Sequence, residues 1–144
     1  MMSEDPLSPD QNRPEQISRE PVDSIADDEV LYRRVPLAHF PTGRIAAEHF
    51  KPHKTRDQDG LSLTRAKWES AEQLLSRTDK PGSGVFAVTA RELRAIDLTI
   101  VPSPRPDEPG HCHIPEFCSS RRDEDFVLLR RHLLVELFTR NRVL

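Results

Sequence analysis

An α+β fold is predicted, with one small mixed sheet, two or three packed helices and a disordered amino-terminal tail. Three observations predict it. Short β-branched runs such as VLYRRVP and VFAV alternate with stretches of helical periodicity. A chain of 144 residues can hold one ordinary core but not two. With 35% apolar residues, 31% charged residues and thirteen prolines, it is too polar for its whole length to pack. The expected division is a tail over residues 1–28 and a single domain over 29–144.

The tail is acidic. Residues 1–28 carry eight Asp and Glu against Arg13 and Arg19, a net of −6, so the remaining residues sum to +3 against the chain total of −3. Four prolines and few apolar positions leave that segment too little surface to bury for the entropy of ordering it. An excess of +3 in the body does not by itself indicate nucleic acid. The amino terminus lacks an apolar signal region and no run is long enough for a bilayer, so a cytoplasmic protein without membrane contact is expected. In that compartment Cys112 and Cys118 are expected as free thiols.

Order is expected to begin at VLYRRVP, a strand closed by Pro36. Residues 36–60 read as a long polar loop with short extended pieces near Ile45 and Phe50, because Pro36, Pro41 and Pro52 exclude a long helix. Loops of this length are often functional or mobile. Leu61–Leu63 forms a short strand, and Thr64 is the expected cap of a helix whose face carries Trp68, Ala71 and Leu75. The Gly-rich turn at 81–84 leads to the strand VFAV. Thr89 and Glu92 then make a capping box for a short helix. DLTIV follows as a strand, so the order from Val85 to Val101 is compatible with a crossover unit. CHI is the last strand. A long helix capped by Ser120 closes the chain, its stripe of Phe126, Leu129, Leu133 and Leu137 broad enough to be buried on more than one side.

The residues that carry chemistry are few. In HCHIPEFC, His111 and His113 share one face of a strand while Cys112 points to the other. His111 and His113, with Cys118 folding back past Pro115, are the candidate metal ligands, and zinc is the metal their chemistry suits. The plainer reading is a strand with one buried thiol and exposed imidazoles. The cysteine spacing is not that of a C-x-x-C redox pair. TRDQDGLSLTRA lacks both end ligands of a calcium loop, so Gly60 is expected to serve a turn. No G-x-S-x-G motif surrounds Ser62 or any other serine.

In YRR, Tyr32 and Arg34 share a strand face and Arg33 lies opposite. An Arg beside a cleft can hold phosphate or carboxylate through two hydrogen bonds, whereas on an edge strand it is a solvated charge. Lys51, Lys54, Arg56, Arg65 and Lys67, flanked by Phe50 and Trp68, form a positive stretch that could meet nucleic acid, but no module fingerprint accompanies it.

LYRRVP, FKP, DGLSL, the run GV…VTARELRAIDLTIVPSP and HCHI, in this order over residues 30–114, resemble a set of small uncharacterised bacterial proteins. That likeness implies no activity. A further likeness is to the ADP-ribosyltransferase-like fold of RES-type domains, in which an Arg-bearing strand precedes a strand ending in a small hydroxyl residue. It implies Arg33 or Arg34 near the phosphates of a nicotinamide dinucleotide (NAD) and Ser62 beside its ribose, although no glutamate here matches the family's.

Taken together, the expected function is a small non-catalytic binding or accessory protein without a cofactor. It would present the 36–60 loop and the Tyr32/Arg34 face to a protein partner, with Arg33 and Ser62 as further candidate ligand contacts. The alternative is an enzyme, either ADP-ribosyltransferase-like with NAD or metal-dependent with zinc.

Overall fold

The computed structural model describes residues 24–38, 42–78 and 82–144. Its centre is one five-stranded sheet with three α-helices, an α+β arrangement. The strands are β1 (Val30–Pro36), β2 (Leu61–Arg65), β3 (Ser83–Thr89), β4 (Val101–Pro102) and β5 (His111–Ile114). The helices are α1 (Ala71–Ser76), α2 (Ala90–Arg94) and α3 (Asp125–Thr139). The strand order is β3-β1-β2-β5-β4, and every neighbouring pair is antiparallel, where a mixed sheet was expected. The crossover reading of Val85–Val101 fails for a geometric reason. α2 spans barely more than one turn, too little to return a strand parallel to β3. The chain instead runs to the opposite edge, where β4 pairs with β5.

The two faces of the sheet are unequal. On one face Leu31, Leu63, Val88, Cys112 and Ile114 pack against Leu93 of α2 and Val127, Leu134 and Phe138 of α3. On the other, α1 sets Ala71 and Leu74 against Val85, with Tyr32 and Leu75 at the margin. α1 is short and covers only the β3/β1 end, so the polar face of β2 and β5 stays open.

Local signals were met unevenly. Thr89 caps α2 and Glu92 reciprocates, as its T-x-x-E spacing predicts. Thr64 is no cap, because β2 continues to Arg65; Ser70 and Gln73 form the box that opens α1, and Trp68 lies before the helix. Ser120 lies in a 3-10 turn, and Glu124 precedes α3. α3 is buried along Val127, Arg131, Leu134 and Phe138 only, while Leu129 is 61% exposed, so it packs on one side.

Arg65 is fully buried and pairs with Glu29 through Nε and Nη2. Of the expected tail, residues 1–23 lie outside the described residues. Residues 24–28 belong to the domain: Ile25 is in the core, and Arg94 binds the Asp27 carboxylate and the Ile25 carbonyl. The last residues lie along the outer edge of β3, with Val85 N–H donating to Leu144 O at 3.0 Å and Ala87 N–H to Asn141 O at 2.9 Å. Among the described residues no helix is long and apolar enough to cross a membrane.

Candidate functional site: a cationic cleft over the open face

β1 lies between β3 and β2, so its arginines are not edge charges. The pairing of β1 with β2 is recorded at Leu31–Arg65 and Tyr32–Thr64 only. Beyond it the Arg33 guanidinium enters: Nη1 donates to Ser62 O at 2.7 Å and Nη2 to His49 O at 2.8 Å. Side-chain alternation starts Arg33 on the core side, where it also lies over the Phe50 ring. From there it reaches a cleft of about 1270 Å³ on the polar side of the sheet.

The 36–60 loop is the wall of that cleft. It holds a 3-10 turn, Ala47–Phe50, in place of the extended pieces expected there. Phe50 is fully buried and stacks on Phe138 at 5.3 Å, and Arg131 grips the turn through Ala47 O and the Glu48 carboxylate. His49 Nε2–H donates to Pro36 O while Nδ1 accepts the Ala46 amide. Farther along, Asp57 accepts the His53 amide and Ser119 N–H donates to Asp57 O, tying the loop to the segment before α3. The wall is therefore held at both ends.

Tyr32, Arg33, Arg34 and Ser62 all line this one cleft. Arg34 donates to Leu74 O at 2.9 Å, in the last turn of α1. The lining carries eight Lys and Arg side chains against three carboxylates, Glu48, Asp57 and Glu108. Glu108 is already bound to Arg77 and Arg105. Arg33 has no carboxylate within ion-pair distance among the described residues, and the buried Nε atoms of Arg33 and Arg122 have no hydrogen-bond partner. Burial lowers the Arg33 pKa to about 10, so it stays charged at neutral pH.

β5 supplies the far wall. His111 and His113 do share one face, with the Cys112 thiol buried on the other and pushed up to about 12 by burial. The imidazoles are not exposed: His111 is buried and His113 half-buried. Their ring nitrogens engage hydroxyls, His111 Nε2 with Ser62 Oγ at 3.1 Å and both Nδ1 atoms with Ser103 Oγ at 2.8 and 2.9 Å. Cys118 contacts Ser120 Oγ instead of joining them. The 3-10 turn Pro115–Phe117 buries Phe117 in the core and carries Cys118 away from β5. Among the described residues no group of three or more His, Cys, Asp or Glu side chains could hold a metal ion. The expected His111/His113/Cys118 set is thus not gathered. Both cysteines are free.

Burial lowers the pKa values of His49, His111 and His113. The unfolded chain gains these protons near pH 6.5, whereas the folded chain resists them, so stability is full above that pH and drains away below it. Glu69, raised by burial, works with the opposite sign nearer the carboxylate range. Urea unfolding at pH 7, 6 and 5 is expected to give a falling midpoint; an unchanged midpoint would contradict three neutral imidazoles, two buried and one half-buried.

Comparison with protein-family models, with curated proteins and with solved structures finds no match to this chain.

Proposed function

We propose that the domain binds a polyanionic small molecule of nucleotide size in the cleft over β1, β2 and β5. One observation carries the reading: the half-buried Arg33, with its Nε buried and unpartnered, lines a cleft rich in cations and has no carboxylate within ion-pair distance among the described residues. Burying a charge is costly unless it is paired, and an arginine fork suits a phosphate or carboxylate. The loop forms a concave wall, which favours a small molecule over the protein partner suggested by its length. Such ligands are abundant in the cytoplasm, where free thiols also persist. A second reading makes the ligand a nicotinamide dinucleotide, supported by Arg33, Arg34 and Ser62 lining one cleft, as the RES-type likeness implies for an arginine and Ser62.

Thermal melts with pyrophosphate, ATP and NAD test both. A ligand at a hundred times its dissociation constant adds about 2.7 kcal/mol, a rise of several degrees for a domain of this size. Lys51→Ala/Lys54→Ala/Arg56→Ala, a triple change at loop positions, is expected to abolish the rise without lowering the unliganded melting temperature. No rise with any of these anions would sink the proposal. A rise with NAD alone would favour the dinucleotide reading.

A further inference from the structure

Ser62 sits where the main cleft meets a smaller one of about 430 Å³, lined by Arg56, Ser103, Arg105, His111 and His113 among others. Its Oγ is 3.1 Å from His111 Nε2. The other ring nitrogen, Nδ1, is 3.1 Å from the Ser103 carbonyl oxygen and 2.8 Å from its hydroxyl. A carbonyl oxygen only accepts, so Nδ1 carries the proton. Nε2 is then the free lone pair, and Ser62 Oγ–H donates to it. Ser103 Oγ accepts from His111 Nδ1–H and donates onward to His113 Nδ1 at 2.9 Å. In this assignment the His111 Nδ1 proton is shared between the two Ser103 oxygens. The result is a hydroxyl facing a cleft, a neutral base on its proton, and an orienting group behind the base, which are the geometric parts of an activated serine.

We propose that Ser62 is the nucleophile and His111 the general base of a hydrolase acting on esters of anionic small molecules, with Ser103 as the positioning residue. The anionic character of the substrate rests on the proposed function of the cleft; the serine–histidine pair does not. Ser62 Oγ bonds to the acyl carbon as its proton passes to His111 Nε2. The bond from that carbon to the leaving oxygen breaks, and His111 gives the proton to the departing alcohol. Water then loses a proton to His111 and attacks the same carbon. The bond from that carbon to Ser62 Oγ breaks as His111 returns the proton to Oγ, and the carboxylic acid leaves and gives up its own proton to solvent. Arg56 and Arg105 line the pocket beside the serine, where positive charge favours the developing oxyanion.

The test is labelling of the full chain with a reporter-tagged fluorophosphonate. In this reaction the serine oxygen bonds to phosphorus, fluoride leaves and His111 takes the proton. An adduct located at Ser62 by peptide mass spectrometry is expected. Ser62→Ala should abolish it, and His111→Gln should slow it about a hundredfold or more. Absence of an adduct at Ser62, or an equal rate in a folded His111→Gln variant, overturns the proposal. If that variant does not fold, the pH profile of the unaltered protein decides. The rate should fall in acid with a midpoint below 6.5, set by burial of His111, by Arg105 and His113, which lower its pKa, and by the Ser103 carbonyl and Glu108, which raise it. A pH-independent rate overturns the role of His111. Ser103→Ala removes an acceptor for the imidazolium and should move that midpoint to lower pH; an unmoved midpoint removes Ser103 from the mechanism. Labelling needs no bound polyanion, so failure here and failure of the melting shifts are separate outcomes.

Discussion

Glu29→Ala is expected to destabilise the domain by about 3–5 kcal/mol, the usual loss when one partner of a buried ion pair is removed. Arg65 is fully buried at the end of β2, and the Glu29 carboxylate just before β1 accepts from its Nε and Nη2. Both side chains have already lost their water, so deletion of the acid takes a matched carboxylate from a cation that solvent does not reach. The companion variant separates charge from packing. Arg65→Met combined with Glu29→Ala should be milder than Glu29→Ala alone, because no buried charge then remains. Equilibrium urea unfolding of the single and double variants reads the difference. A loss below about 1 kcal/mol for Glu29→Ala would place this pair with solvated surface pairs.

Gly60→Ala is the second large effect. Gly60 has φ +148, a backbone conformation rarely adopted by residues with side chains, and an added Cβ would lie 2.3 Å from Ile114 O and 2.9 Å from His113 Cδ2. The nearest obstacle is backbone in the first pair of the β2–β5 ladder, Leu61 with Ile114, so relief means breaking the register. A loss of at least about 2 kcal/mol is expected from strain and lost pairing. Gly43→Ala is the control. Its φ is also positive, at +63, but nothing lies within 4 Å of the added atom, so only the backbone cost of about 1–2 kcal/mol applies. Equal losses at the two glycines would show that the close approach to Ile114 is not what fixes glycine at position 60.

What the sequence made legible was local. The Thr89/Glu92 box, the strand VLYRRVP, the shared face of His111 and His113 and the buried Cys112 each depend on spacings of a few residues, and each is present. Thr64 misled because a capping hydroxyl is equally at home in a strand. The buried pairing of Arg65 with Glu29 extends β2 through that position. Leu129 misled because α3 has apolar residues around most of its circumference, and only contact with the sheet decides which side is buried. For the site, Tyr32, Arg33, Arg34 and Ser62 were identifiable as candidates. Spacing alone does not give their convergence on one cleft, which needs the strand order β3-β1-β2-β5-β4. The Ser62–His111 contact has no motif at all. It is a diagonal across the ladder in which Ser62 pairs with His113 and Thr64 with His111.

The same strand order governs how the molecule can be assembled. Tyr32 meets Thr64, Ser62 meets His113 and Val30 meets Thr89, so the pairings that build the cleft join residues about thirty to sixty positions apart. Long loops must close before those contacts return any stabilisation, which places the domain among the slower folders, on a scale of milliseconds to seconds. No half of the chain contains both the arginine strand and the histidine strand. The Ser62–His111 contact therefore exists only once β5 has docked on β2, after most of the chain has been made.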